Sequence, residues 1–208
     1  MPDHGIETQF EAALVRLEQG WETVGAPVRR CARLGLTGAE IDDLTAPLGL
    51  RLPVEARLWW QWHDGTEQDE KVTSIDGNLV GPVHRFLRLD DAIVTYRYAC
   101  ALADEAAEMS GMAPQEWWDR SWFPVVSTLH DSLISVDCSV PAGQVSPVRS
   151  VEASDEDRLV IRAPSLTDVV SWWAEAMESG GWTYDAAGGH WLIDESRLDR
   201  PIIRRGIL

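Results

Sequence analysis

Two His-Asp dipeptides, His63-Asp64 and His130-Asp131, have the residue types best suited to chemistry. With His84 they would offer imidazole and carboxylate ligands to a divalent metal that activates water for hydrolysis. Such a centre is held most precisely with the dipeptide on a helix and further ligands on neighbouring helices. Here His63-Asp64 runs straight into Gly65, a helix-ending residue, and His130-Asp131 falls between two expected strands. A site built from His63, Asp64, His84, His130 and Asp131 would depend on loops converging. The structural alternative is simpler: an imidazole at a helix C-terminus, favoured by the helix dipole, then an aspartate in a turn. No metal, cofactor or turnover is expected on that reading.

Other catalytic sets are weaker still. There is no Gly-x-Ser-x-Gly elbow, and Gly188-Gly189 lies in an expected hairpin rather than before a helix with a lysine. Cys31, Cys100 and Cys138 are far apart and odd in number, so they read as reduced, mostly buried thiols of a cytoplasmic protein. Adjacent carboxylates such as Asp42-Asp43 and Asp90-Asp91 read as solvated faces. Arg29, Arg30 and Arg33 form a small basic cluster that reads the same way.

Composition points to binding instead. The formal net charge is −16 in 208 residues, which disfavours direct contact with nucleic acid or anionic membranes and suits a basic protein partner. The chain opens without a basic segment followed by an apolar run, so no signal peptide is expected, and its longest apolar runs are too short to span a bilayer. It carries 11 tryptophans, six of them in the pairs Trp59-Trp60, Trp117-Trp118 and Trp172-Trp173. Neighbours on a helix point about 100° apart. Each pair therefore needs either a wide buried arc, the reading we favour, or one exposed ring serving as a partner anchor.

The elements that must position these residues follow from spacing. Ile6, Phe10, Leu14, Leu17 and Trp21 predict a helix over Ile6 to Gln19, broken by Gly20, Gly25 and Pro27. Val28 to Leu36 reads as a short helix or a linker. Thr37-x-x-Glu40 has the form of a capping box for a helix ending near Gly49. A short apolar helix is expected from Pro53 to His63, its core face formed by Val54, Leu58 and Trp62 with Trp59 beside them. Val72 to Ile75 and Leu79-Val80 read as paired short strands, and Val83 to Leu89 as extended. Asp90 or Asp91 caps a long helix ending near Gly111. Strands are expected at Trp122–Val126, Ser132–Asp137, Gln144–Val148 and Arg158–Arg162. Ser165 caps a helix to about Glu178, followed by a hairpin of Trp182–Asp185 and His190–Ile193 and a basic tail from Arg197. Strands grouped between helices indicate an α+β domain with a mixed or antiparallel sheet flanked by helices.

The Leu-Gly turn, Leu52-Pro53, the aromatic helix closing on Trp62-His63-Asp64-Gly65, then Trp122-Phe123-Pro124-Val125 with Asp131 to Asp137, and Ala163-Pro164-Ser165-Leu166 occur in this order. The ordered set resembles the SUKH superfamily, which includes yeast cell-wall-assembly regulators of the Smi/Knr type. Members often carry Asn-Gly where this chain has Asp64-Gly65. The resemblance covers about Thr37 to Met177. It implies a non-enzymatic α+β binding domain, often in bacteria an immunity protein that neutralises a toxin. A regulatory scaffold in cell-wall or signalling assemblies is the alternative, and a metal-assisted hydrolase a further one. The expected organisation is an N-terminal helical extension (1–36), a SUKH-like domain (37–180), and a C-terminal hairpin and tail (181–208). For a basic toxin such as a nuclease, the expected contacts are Glu67, Asp69 and Glu70, then Asp155, Glu156 and Asp157, with Trp60 as an exposed anchor.

Overall fold

The computed structural model describes residues 3–67, 76, 78–129, 132–151 and 161–198. Among them are helices α1 (Asp3–Val24), α2 (Val28–Cys31), α3 (Gly38–Thr45), α4 (Val54–Trp62), α5 (Leu89–Ser110) and α6 (Leu166–Glu178). Strands β1 (His84–Phe86), β2 (Trp122–Thr128), β3 (Leu133–Asp137) and β4 (Val148–Val151) form an antiparallel sheet in the order β1-β2-β3-β4. β5 (Trp182–Asp185) and β6 (His190–Ile193) form the expected separate hairpin. The α+β class is as anticipated.

Several elements form for the reasons their sequences suggest. Thr37 and Glu40 make a complete capping box at the start of α3. The Ser165 hydroxyl accepts from the Asp168 N–H at 3.0 Å and starts α6. Pro124 sits in β2 beside a register shift between Pro124 and Val126, and β1 pairs only with residues 126–128, so the missing donor disturbs no ladder bond to β1.

Other expectations change. α1 continues through Gly20 to Val24, because Gly20 lies against α6: a Cβ there would sit 2.6 Å from the Met177 methyl. Leu79 and Val80 are buried but not in a strand; the Val80 carbonyl accepts from the Trp21 indole N–H at 3.0 Å. The strand expected from Gln144 is β4 and begins only after Pro147, since the Ser146 hydroxyl is drawn into hydrogen bonds with the Asp137 backbone. Ile161 and Arg162 are not in a strand, and Ala163 bridges to Val148. Val72 to Ile75 and residues 158–160 lie outside the described residues.

The core closes around α4. Trp59 lies 4.1 Å from the Phe86 ring, 6.5 Å from Phe10 of α1 and 6.5 Å from Trp173 of α6, measured between centroids. Trp60 meets Phe123 of β2 edge-on at 5.7 Å, and Tyr96 of α5 approaches Phe123 at 5.6 Å. The buried arc of α4 is Glu55, Ala56, Trp59 and Trp60, while Val54, Leu58 and Trp62 are only half-buried. The expected stripe is thus displaced around the helix, because α4 is covered on two sides, by α1 and α6 through Trp59 and by the sheet through Trp60. Eight of the 11 tryptophans are buried and the other three half-buried, so a wide covered arc accounts for the pairs.

All three cysteines are free thiols. Burial pushes the Cys138 thiol up to about 12 and raises Cys100 as well. Thiolate is the reactive form. Native protein at pH 8 is therefore expected to react with an aromatic disulfide reagent far more slowly than unfolded protein. A rapid burst from either residue, read by absorbance, would contradict this.

Candidate functional site

The Trp-His-Asp-Gly turn gathers several polar side chains at the edge of the core. The Trp62 indole N–H donates to Glu18 Oε1 at 2.8 Å, and its ring stacks on Trp21 at 5.6 Å. His63 Nδ1 lies 2.8 Å from the Arg33 carbonyl, and Nε2 lies 3.3 Å from Glu18 Oε1. Asp64 is buried and its Oδ1 accepts from the Leu89 backbone N–H at 2.9 Å. It therefore satisfies one of the free donors at the start of α5, where the N-cap position is Arg88 and offers no side-chain acceptor. The cap expected from Asp90 or Asp91 is supplied across 25 residues of chain. Gly65 has φ +73°, and a Cβ there would lie 2.6 Å from the Arg88 nitrogen. Only glycine fits both the conformation and the close approach.

These contacts assign His63 and Asp64 to packing α1, α4 and α5 together. His84 is buried between the rings of Trp173 and Trp182, at 4.8 and 5.6 Å. His130 and Asp131 lie outside the described residues. Among the described residues no three His, Cys, Asp or Glu side chains gather as metal ligands.

A second polar centre is Glu55, which has no distinguishing signal in the sequence. It is 1 % exposed. Its carboxylate accepts from the Thr167 N–H at 2.9 Å, the Thr167 hydroxyl at 2.5 Å and the Ser146 N–H at 3.4 Å. Burial raises its pKa, while the bonds from Thr167, Ser146 and Leu166 pull the other way. Glu55 thus ties α4 to the start of α6 and to the loop between β3 and β4. Its partners are 91 and 112 residues away, so local pattern reading sees only an ordinary acid in a first helical turn.

Beside this tie is a cavity of about 370 Å³ between the start of α4 and residues 140–144. Its charged lining is Arg51 and the Asp42–Arg57 ion pair.

The residues expected to contact a partner fare differently. Trp60 is fully buried and its indole N–H donates to the Leu87 carbonyl at 3.1 Å, so it is a core residue and the expectation of an exposed anchor is corrected. Glu67 is exposed and pairs with Arg33 at 2.5 Å. The remaining members of the Arg29–Arg33 cluster are exposed, Arg29 pairing with Glu22. Asp69, Glu70, Asp155, Glu156 and Asp157 lie outside the described residues.

Residues 35–172 match the family model SMI1 / KNR4 (SUKH-1). The chain belongs to this family. The match runs from just before α3 into α6 and so contains α4, the Trp-His-Asp-Gly turn, α5 and the whole four-stranded sheet. SUKH-1 membership supports a protein-binding or immunity-type module at the level of the family. Comparison with curated proteins finds no match. No described helix is long and apolar enough to cross a membrane.

Proposed function

We propose that this SUKH-1 chain is a non-enzymatic protein-binding module that acts as an immunity protein, neutralising a basic toxin by direct association. Membership of the family over residues 35–172 carries the reading. Two properties of the chain support it. The His63-Asp64 dipeptide, its most chemically suggestive motif, is bonded into the junction of three helices. The net charge of −16 suits a cationic enzyme such as a nuclease, with carboxylates standing where phosphates would lie. Glu67, which is exposed, and Asp69, Glu70, Asp155, Glu156 and Asp157 remain proposed contacts on sequence grounds.

Co-expression with the toxin-like domain of a secreted protein encoded beside it tests the proposal. Growth is expected to be rescued and the two proteins to copurify. Association should slow steeply as salt rises, while dissociation changes less. If the chain neither rescues growth nor copurifies with that toxin, the immunity assignment falls.

A further inference from the structure

A solvent-facing helix in a soluble protein normally turns a polar stripe outward. α5 does not. Its inner side buries Ala92, Ile93, Tyr96, Cys100 and Ala103. Its outer side shows Val94, Tyr98, Leu102 and Met109, which are 64, 68, 41 and 77 % exposed. At about 100° per residue these four fall within an arc of roughly 80°, so they form one stripe rather than scattered apolar residues. From Val94 to Met109 the stripe runs about 22 Å at 1.5 Å per residue.

Asp91 precedes the stripe, Glu105 interrupts it between Leu102 and Met109, Glu108 flanks its far end, and one exposed cation, Arg97, lies beside Tyr98. Asp91, Glu105 and Glu108 are exposed, and no ion pair engages them among the described residues. Asp90 and Asp104, by contrast, pair with Arg88 and Arg120. A second copy of the chain suits this surface poorly. An antiparallel pair sets the Asp91 end against the Glu108 end, a parallel pair sets each carboxylate against its twin, and each copy brings a net charge of −16. Cations flanking an apolar helical face satisfy both features of the stripe.

We infer that the outer face of α5 is the docking surface for a basic amphipathic helix of a partner protein. The inference rests on the reading of this chain as a protein-binding module and adds the surface and the partner's chemistry. Val94, Tyr98, Leu102 and Met109 take the partner's apolar side chains, and Asp91, Glu105 and Glu108 receive its lysines or arginines.

The test uses the full chain and two labelled 18-residue helical peptides with leucines at i, i+4, i+8 and i+15, one flanked by lysines and the other by glutamates. Fluorescence anisotropy is expected to show binding of the lysine peptide alone, weakening as salt rises. The V94S/Y98S/M109S variant leaves the charge untouched and is expected to bind at least about tenfold more weakly. The L34S variant, altered at an exposed leucine outside α5, is expected to bind as the parent does. Circular dichroism melts confirm that each variant is folded. Undiminished binding by the triple variant overturns the inference, because general attraction to an acidic protein then explains the signal. Absence of binding by the parent chain also overturns it. So does sedimentation showing a dimer that the triple variant abolishes, since a second copy then occupies the face. The two readings fail differently: a toxin bound equally by parent and triple variant removes this surface and leaves the immunity function standing, whereas a toxin the parent ignores removes the function.

Discussion

Replacing Trp59 with alanine is expected to destabilise the protein by about 3–5 kcal/mol, the range for deleting a fully buried large aromatic. Trp59 is 0 % exposed and is the one ring in contact with Phe10, Trp62, Phe86 and Trp173, side chains from α1, α4, β1 and α6. The cavity would open where four elements meet, a place where none can collapse without disturbing the others. Its indole N–H has no hydrogen-bond partner among the described residues, so Trp59→Phe gives up no such bond and should cost distinctly less. Trp62→Ala should also cost less than Trp59→Ala, because that ring is only half-buried. Urea unfolding of the three variants checks the ranking. A Trp59→Ala midpoint close to the parent's would mean that α4 is not the centre of the core.

Glu55→Ala is expected to cost roughly 2–4 kcal/mol, because the Thr167 and Ser146 N–H groups lose a buried acceptor. Glu55→Gln keeps an acceptor oxygen and removes the buried charge, so its effect should depend on pH. The Glu55 pKa is raised above 4.5, chiefly by burial, so the folded protein holds this proton more tightly than the unfolded chain. The stability from that tighter binding is fully present below about pH 4.5 and is lost as pH rises through the raised value. Relative to the parent, Glu55→Gln should therefore gain stability between pH 4 and pH 7. Denaturant midpoints at the two values decide it, and a flat or opposite difference would show that the hydrogen bonds outweigh burial.

How legible each feature was depended on the distance to its partners. The capping box at Thr37, the Ser165 cap, the hairpin of residues 182–193 and the ends of α4 lie within a few residues of the groups that cause them. They could be read directly from local chemistry and periodicity. The α+β class followed from their order. The face that α4 buries could not be read, because Val54, Leu58 and Trp62 and the arc of Ala56, Trp59 and Trp60 are both helical stripes. Which one turns inward depends on α1, α6 and β2 covering the helix together.

The polar residues divide in the same way. Sequence alone determined that the chain is acidic, rich in tryptophan and of the α+β class, and its ordered motifs were enough to suggest the family. Only the tertiary structure decided what His63, Asp64 and Glu55 do. A histidine and an aspartate beside a glycine have the same local signature whether they hold a metal or seal a helix junction. Asp64 became the cap of α5 because folding carried Leu89 to within 2.9 Å of it, and Glu55 became a tie because α6 begins where α4 does. Hydrogen bonds need groups within about 3 Å. For residues 25 to 112 positions apart, only the packed core sets that distance.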